Sequence, residues 1–152
     1  MQIDLGPNPL ELDRQVCFAL SVASRSVIAV YRPLLKPFGL THPQYLVLLA
    51  LWDKAPRSVK DLSEVLRAEP ATLSPLLKRL EAQGYVSRRR NRADERALTV
   101  DLTEQGRALR AEAEKIPYHV VETLGMEVAQ LEALHAVLSQ VIAATDQALR
   151  GE

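Results

Sequence analysis

A stretch near the middle of the chain carries the pattern that most constrains the fold, two helices separated by a very short turn. The first helix is predicted over Val59–Leu66, with the Ser58 hydroxyl as its N-cap. The second runs over Pro70–Ala82, and a proline suits a first helical position because its missing N–H would be unpaired there in any case. Gly84 then supplies a left-handed residue that ends a helix. The spacing predicts a helix-turn-helix.

Two short strands follow directly, over Tyr85–Arg90 and Ala97–Leu102. The residues between them, Asn91 to Asp94, combine charge with turn-forming residue types, which is typical of a hairpin. The arginines of this hairpin are Arg88, Arg89, Arg90, Arg92 and Arg96. A helix-turn-helix followed by a basic two-stranded hairpin is the layout of a winged helix-turn-helix.

Apolar residues at helical spacing predict further helices on both sides of this unit. These helices cover Leu12–Tyr31, Pro43–Trp52, residues 103–118 and residues 126–149, and a short helical segment lies between Pro33 and Gly39. The helix that begins at Pro43 is apolar on every side, which indicates a buried helix. The predicted fold is therefore mainly α with a small β wing.

The apolar stripes of the flanking helices exceed what one small winged domain can bury. We therefore expect a homodimer, in which residues 12–38 and 103–149 form N- and C-terminal dimerisation helices. The winged helix-turn-helix is expected over residues 41–102. Together these parts form a single predicted domain over residues 1–152.

The overall composition is that of an ordinary globular domain with no net charge. Lysine and arginine number 19, aspartate and glutamate number 19, and 47% of residues are hydrophobic, which excludes a disordered acidic tail and a generally basic coat protein. No uninterrupted apolar run reaches the roughly 18 residues of a transmembrane helix. The N-terminus also lacks the features of a signal peptide, so we expect a cytoplasmic protein without membrane contact.

The residue types that hold metals or phosphates are scattered. His119 and His135 have no spaced ligand partners, and Cys17 is the only cysteine, so we expect neither a metal site nor an internal disulfide. No glycine-rich phosphate loop and no Ser/His/Asp arrangement is visible. We expect no cofactor and no enzymatic activity.

The zero net charge conceals a basic middle section. Eleven basic and six acidic residues lie between Lys54 and Arg96, a net charge of +5, and the rest of the chain carries −5. Charge alone is explained equally well by a solvated surface, but its position on a winged helix-turn-helix favours duplex DNA as the partner.

Each predicted DNA contact follows from its place in this layout. On the second helix of the pair, the residues expected nearest the base edges are Thr72, Ser74 and Pro75, and those expected at phosphates are Lys78 and Arg79. On the hairpin, an arginine near the tip suits the electronegative minor groove. Asp94 would hold Arg92 or Arg96 in a bidentate pair and orient it. The predicted contacts of the hairpin are Arg88, Arg89, Arg90, Arg92, Asp94 and Arg96.

Two stretches of the sequence resemble a known family. From Val59 the chain reads VKDLSEVLRAEPATLSPLLKRLEAQGYVSRRRNRADERALTVDLTEQGRAL, whose LE-x-x-GYV, D-x-R and LT-x-x-G patterns are similar to those of the MarR family of transcriptional regulators. The stretch LDRQVCFALSVASRSVIAVYRPLLKPFGLTHPQYLVLLALW resembles the organic hydroperoxide resistance regulators, the thiol-sensing branch of that family. Together they cover residues 12 to 110. The resemblance implies the winged fold, dimerisation and the DNA-contact roles given above.

Cys17 lies in the apolar sequence VCFAL. From composition alone, a lone cysteine there is an inert small hydrophobic residue. The resemblance implies instead a peroxide-reactive thiol, because Cys17 occupies the cysteine of the motif L-x-x-Q-x-C-F-A-L. Its thiolate would attack the O–O bond and become a sulfenic acid. Without a second cysteine, the next product would be a mixed disulfide with a small thiol, a sulfenamide or an over-oxidised acid.

The resemblance also implies that tyrosine hydroxyls of the partner subunit support this cysteine. Tyr31 matches one of them, but His42 stands where the family has the first tyrosine of T-Y-P-Q-Y, and Ser21 stands where another tyrosine is often found. Two interpretations stay open. His42, as a cation or as a proton acceptor, would favour the thiolate form of Cys17, or the pocket has lost its sensing role and serves another ligand. Without the family, His42 is a surface residue beside a helix cap.

The sequence thus predicts a DNA-binding transcriptional regulator, in the simplest case a repressor. It would leave a pseudo-palindromic operator when an organic hydroperoxide oxidises its reactive cysteine. The alternative is a MarR-type repressor released by a small phenolic or aromatic ligand, with Cys17 incidental. A thiol peroxidase-like enzyme is a third interpretation, but the chain offers no resolving partner and such an enzyme has no use for the basic hairpin.

Overall fold

The computed structural model of the protein describes residues 3–90 and 97–151. In this part of the chain the α-helices are α1 (Val16–Leu35), α2 (His42–Asp53), α3 (Val59–Leu66), α4 (Pro70–Ala82), α5 (Glu104–Ala113), α6 (Ile116–Leu124) and α7 (Val128–Arg150). The strands β1 (Arg57–Ser58), β2 (Val86–Arg90) and β3 (Leu98–Leu102) form an antiparallel sheet in the order β1-β3-β2. The predicted fold class, mainly α with a small β wing, is confirmed. The chain divides into two compact units, Met1–Ala113 and Glu114–Glu152.

The helix-turn-helix has the bounds that the sequence predicts, because the capping groups at its ends work as expected. The Ser58 hydroxyl accepts the backbone N–H of Asp61 at 3.0 Å and so caps α3. Beyond α4, Gly84 takes a left-handed conformation with φ of +83°. The N–H of Tyr85 then donates to the carbonyl of Leu80 at 3.0 Å, which closes the end of the helix.

Strand β1 lies between the predicted helices Pro43–Trp52 and Val59–Leu66, where the sequence predicts no strand. Arg57 pairs with Val100 of β3. The buried guanidinium of this arginine donates to the carbonyl of Ala50 and to the carboxylates of Asp53 and Asp61, over 2.8 to 3.0 Å. A two-residue strand is too short to show the alternation by which strands are recognised, so tertiary pairing decides its conformation.

The helix predicted over residues 103–118 is interrupted, and this correction follows from one proline. Helix α5 ends at Ala113 and α6 begins at Ile116, so Pro117 lies in the first turn of a new helix. A proline is tolerated there and disrupts a helix interior, so the chain turns before it. At the start of α5, the Thr103 hydroxyl accepts the N–H of Gly106 at 3.0 Å and so caps the helix.

Helix α1 begins and ends four residues later than the predicted helix Leu12–Tyr31. A single 3-10 turn over Leu12–Arg14 precedes it. The helix continues through Pro33, which removes one backbone hydrogen bond from the last turn and leaves the rest of the helix intact. A second 3-10 turn follows, and Gly39 ends it with φ of +67°.

The core of the first unit is formed by α2, α3, α4 and the sheet. The largest side chains with no exposed surface of consequence are Leu35, Leu48, Leu51, Leu62, Leu73, Leu77, Leu80, Val47, Val86 and Val100. The prediction that α2 is buried on every side is wrong for one face, where Leu46 and Leu49 stay 36% and 41% exposed. An apolar face of α2 is therefore left outside the core of the single chain.

The first turns of α5 pack closely against the start of the wing. A Cβ atom on Gly106 would lie 2.0 Å from the carbonyl oxygen of Tyr85, so only glycine fits this position. The indole N–H of Trp52 donates to the carbonyl of Gly106 at 2.9 Å. The glycine of the LT-x-x-G pattern is thus explained by close packing between α5 and the chain entering β2.

The second unit contains α6 and α7. Ile116 and Val120 of α6 are buried, whereas no residue of α7 is buried. The exposed large apolar residues of α7 are Val128, Leu134, Val137, Ile142 and Leu149. The apolar stripe predicted on this helix is therefore present without a partner within the described chain.

Two segments, Val16–Phe38 and Val128–Arg150, are long and apolar enough to span a membrane by length and composition. The sequence expectation concerned uninterrupted apolar runs, and both segments contain interspersed charged residues. Length and composition are weak evidence here, because helices that pack against other helices pass the same test.

Candidate functional site

The short turn between α3 and α4 is held by local hydrogen bonds. Arg67 takes a left-handed conformation with φ of +51°, which ends α3. The hydroxyl of Ser63 donates to the carbonyl of Ala68 at 2.5 Å, and the N–H of Ala68 donates back to the carbonyl of Ser63 at 3.0 Å. Glu69 is the N-cap residue of α4, as the sequence predicts. These contacts fix the direction in which α4 leaves the turn.

Helix α4 separates an apolar face from a polar one. Its buried residues are Leu73, Leu77 and Leu80, which recur at helical spacing. The five residues that the sequence assigns to DNA on this helix, Thr72, Ser74, Pro75, Lys78 and Arg79, are all exposed. They form one continuous surface on the side away from the core, with two hydroxyls in the first turns and two cations beyond them. This is the arrangement that a helix entering a major groove requires.

The wing adds further cations beside this surface. Arg89 and Arg90 of β2 are exposed and lie opposite Thr99 and Leu98 of β3. Successive strand residues face opposite sides of a sheet, so these two guanidinium groups leave the wing in different directions. The predicted contacts Arg92, Asp94 and Arg96 lie outside the described residues.

Arg88 differs from its two neighbours on β2. Its side chain is 23% exposed, and its guanidinium forms an ion pair with Glu81 of α4 at 3.0 Å. Hydrogen bonding to Arg88 lowers the pKa of the Glu81 carboxyl below its ordinary value, so the carboxylate is ionised at neutral pH. The sequence assigns Arg88 to DNA, and in the structure its guanidinium is already occupied by a protein partner.

Cys17 is the second residue of α1 and is exposed in the single chain. The N–H groups of a first helical turn have no partners within the helix, and the helix dipole favours negative charge at that end. Val16 and Phe18 on either side are also exposed, at 68% and 39%. The sulfur therefore lies on an apolar helix surface, beside the unpaired N–H groups of the first turn.

Tyr31 and His42 are brought together, as members of a group of aromatic rings. Their ring centroids lie 5.1 Å apart, and Tyr45 lies 5.8 Å from Tyr31 and 6.3 Å from His42. Burial raises the pKa of the Tyr31 hydroxyl and, together with the nearby Tyr31, that of Tyr45. Burial lowers the pKa of His42, which is consequently neutral at pH 7. A cationic His42 is thus disfavoured, and a proton acceptor remains.

Within one chain, Cys17 does not join this aromatic group. Fourteen residues separate Cys17 from Tyr31 along α1, which corresponds to about 21 Å at the ordinary helical rise. The structure therefore brings two of the three predicted sensing residues together and leaves the third at the far end of the helix.

Two residues of these sites escape sequence reasoning. Tyr45 is 3% exposed and belongs to the core, and it also completes the aromatic group around His42. The sequence marks Glu81 only as an acid near the C-terminal end of a helix, where the helix dipole disfavours negative charge. That unfavourable placement is the hint that the residue has a partner outside its helix.

A fold of two closely joined helices and a basic wing defines a winged-helix protein, and comparison with known proteins agrees. The family model described as transcriptional regulator SarA/Rot matches residues 29–113. The regulator TtmR of Methylorubrum extorquens is 44% identical over 127 residues, which are 84% of this chain and 65% of that protein. The organic hydroperoxide resistance transcriptional regulator of Bacillus subtilis is 43% identical over 108 residues, 71% of this chain and 74% of that protein.

Among solved structures, the reduced form of AbfR of Staphylococcus epidermidis bound to DNA aligns with a TM-score of 0.82 and 31% identity, over 93% of this chain and 97% of that chain. A disulfide-containing form of AbfR aligns with a TM-score of 0.64. These matches define the class of the protein, a transcriptional regulator and not an enzyme, as the sequence predicts. The chain belongs to the MarR family of winged-helix regulators, and the resemblance to its organic hydroperoxide resistance branch is confirmed.

Proposed function

We propose that this protein is a cytoplasmic, homodimeric repressor that leaves its operator when an organic hydroperoxide oxidises Cys17. The observation that carries the DNA-binding half is the continuous exposed surface of α4 beside the cations of the wing. In this proposal α4 is the recognition helix, with Thr72, Ser74 and Pro75 at base edges and Lys78 and Arg79 at phosphates. Arg89 and Arg90, together with Arg92 and Arg96, contact the backbone and the minor groove, and Asp94 orients Arg92 or Arg96.

Dimerisation is supported by apolar helix surface that the single chain leaves exposed. Helix α1 buries only Leu35, and α7 buries no residue. Covering such stripes with a second copy of the chain removes the unfavourable contact of apolar surface with water. We therefore assign residues 12–38 and 103–149 to dimerisation. A two-fold dimer then presents two recognition helices to successive major grooves, which calls for a pseudo-palindromic operator.

The dimer also offers a way to complete the sensing site. Because about 21 Å separates Cys17 from Tyr31 in one chain, the aromatic group that supports the sulfur would come from the partner subunit. His42 is neutral at pH 7 and can accept a proton there, and the N-terminus of α1 favours the negative charge that a thiolate carries. Each of these groups supports the reactive form of Cys17.

The chemical step needs only the thiolate and the hydroperoxide. The sulfur attacks the terminal peroxide oxygen, an S–O bond forms as the O–O bond breaks, and the alkoxide leaves as an alcohol after taking up a proton. The sulfur is oxidised and the peroxide is reduced. A sulfenic acid or a mixed disulfide then adds polar bulk at an apolar interface, at about 1–3 kcal/mol for each unsatisfied polar group. Rotation of the two winged units apart would relieve this cost and release the DNA.

Release by a small phenolic or aromatic ligand is the second candidate, and one cavity favours it. An open cavity of about 310 Å³ lies beside the position where the family's tyrosine is replaced. Its lining residues are Ile28, Arg32, Leu40, Thr41, His42 and Pro43. Apolar walls with one cation suit an aromatic carboxylate.

A binding assay on duplex DNA from beside the protein's own gene tests both candidates. We expect cumene hydroperoxide to release the wild-type protein from the duplex and dithiothreitol to restore binding. Cys17→Ser should bind DNA normally and ignore the peroxide, whereas the control Met126→Leu should respond like wild type, which excludes methionine oxidation. Release of Cys17→Ser by peroxide would refute the thiol mechanism. Release of Cys17→Ser by salicylate would favour the ligand mechanism.

A further inference from the structure

A single carboxylate joins α4 to the wing. One oxygen of Glu81 accepts the backbone N–H of Arg88 at 3.0 Å, and the other accepts a guanidinium N–H of the same arginine at 3.0 Å. Glu81 lies in the last turn of α4, and Arg88 is the central residue of β2. Hydrogen bonds to an ionised group are among the strongest in proteins, so this contact is a firm connection between the two elements.

The placement of Glu81 is unfavourable in every other respect. An acid near the C-terminal end of a helix opposes the helix dipole, and an acid beside a DNA-binding surface repels phosphates. The contact with Arg88 offsets both costs. Strand β2 is also the edge of the sheet, so the N–H that the carboxylate accepts is one that β3 does not pair.

Arg88 is oriented toward the protein rather than toward solvent. Its side chain is 23% exposed, whereas the next two residues of the strand, Arg89 and Arg90, are exposed. Its Nε atom is buried and has no hydrogen-bond partner in the part of the chain that the structure describes. Of its five N–H donors, one on Nη2 is on the carboxylate and the one on Nε is buried, so the guanidinium has lost the full fork with which an arginine holds a phosphate.

We propose that Glu81 and Arg88 are a positioning pair, which holds the wing strand at a fixed angle to the recognition helix so that both reach DNA at once. Arg88 then acts through the wing and is not itself a phosphate contact, which changes its role from the one that the sequence suggests. The inference rests on the proposed DNA-binding function and concerns how one surface of it is built.

The salt dependence of DNA affinity separates positioning from phosphate contact. Removing one phosphate contact lowers the slope of log K against log salt by about 1. We expect Arg88→Ala to weaken binding to the own-gene duplex about tenfold and to leave this slope unchanged. Arg89→Ala, the matched control on the neighbouring residue, should weaken binding and lower the slope by about 1.

Variants of Glu81 make the test sharper because electrostatics alone predicts the opposite sign. Removing an acid near DNA should strengthen binding if Arg88 is thereby freed for a phosphate. We expect Glu81→Ala to weaken binding about tenfold instead, and the double variant with Arg88→Ala to be no weaker than either single variant. Glu81→Gln removes the charge and keeps one of the two acceptor oxygens, so it should bind less tightly than wild type and more tightly than Glu81→Ala. Hydroxyl-radical footprints should lose the protection given by the wing and keep that given by α4.

Two results would overturn the inference while leaving the proposed function intact. One is a lower salt slope in Arg88→Ala, and the other is tighter binding by Glu81→Ala. Thermal melting of each variant shows whether weaker DNA binding comes from loss of folding. If Glu81→Ala does not fold, Glu81→Gln still tests the inference, because it removes the charge with almost no change of shape. A wild-type protein that binds no duplex from its own locus would instead overturn the proposed function, and this inference with it.

Discussion

The winged unit and the long terminal helix α7 differ in how much of their apolar surface a single chain buries. Between α2 and β3, a set of leucines and valines is fully buried, and charged groups such as Arg57 have their partners within the same unit. Helix α7 is longer than any other helix of the described chain, and it buries nothing. The first region is a finished structure, whereas the second is shaped for a surface that one chain does not supply. Under the proposed function, this division separates the part that would read DNA from the part through which two copies would associate.

The most damaging change to the finished region should be Gly106→Ala. The new Cβ would lie 2.0 Å from the carbonyl oxygen of Tyr85, and because this neighbour is a backbone atom, a side-chain rotation cannot relieve the clash. We expect a loss of about 3 kcal/mol in the free energy of unfolding, measured by urea denaturation. Gly151→Ala is the matched control, because a Cβ there meets nothing closer than 3.6 Å. Equal stability of the two variants would contradict the packing described for α5.

A charge on the stripe of α7 should disable the unfinished region without unfolding the winged unit. Leu134 is 47% exposed in the single chain, and we expect Leu134→Glu to shift the protein toward monomer in sedimentation and to weaken operator binding about a hundredfold, since a dimer holds two half-sites. Gln140→Glu adds the same charge about 120° around α7 from Leu134 and should change neither quantity. A dimeric, fully active Leu134→Glu protein would show that α7 does not contribute to the dimer.

The smallest expected effect concerns His42, the first residue of α2. Burial lowers its pKa below the ordinary value of 6.5. Above pH 6.5 both folded and unfolded states carry a neutral ring, and below it the unfolded state binds a proton that the folded state does not. Stability should therefore fall as the pH decreases from 6.5.

Urea denaturation at pH 7.5 and pH 5.5 measures this effect against His42→Gln. The wild-type protein should lose more stability over this range than the variant, because the variant cannot bind the proton in its unfolded state. An equal loss in both proteins would mean that the imidazole is solvated and that its neighbours do not restrict it.

The local chemistry of the chain was sufficient for some elements. Ser58, Pro70 and Gly84 mark the ends of α3 and α4, because caps and prolines act on the residues beside them and need no distant partner. The apolar stripe of α7 can be predicted from the sequence for the same reason, since helical spacing depends only on the helix itself. Because the leucines of α4 face the core, its polar residues form the exposed surface. From the order of these elements, the winged fold could be predicted.

Other features were decided only when distant segments met. Arg57 belongs to a strand because Val100 pairs with it, and its charge is tolerated in the interior because two carboxylates reach it. In the sequence, Arg88 is one of three successive arginines with nothing to distinguish it. In the structure it forms an ion pair with Glu81. Periodicity indicates the face of its own helix or strand on which a side chain lies, and capping residues mark where a helix begins and ends. They carry no information about the atoms of another element, and those atoms determine whether a charge is free for DNA or bound within the protein.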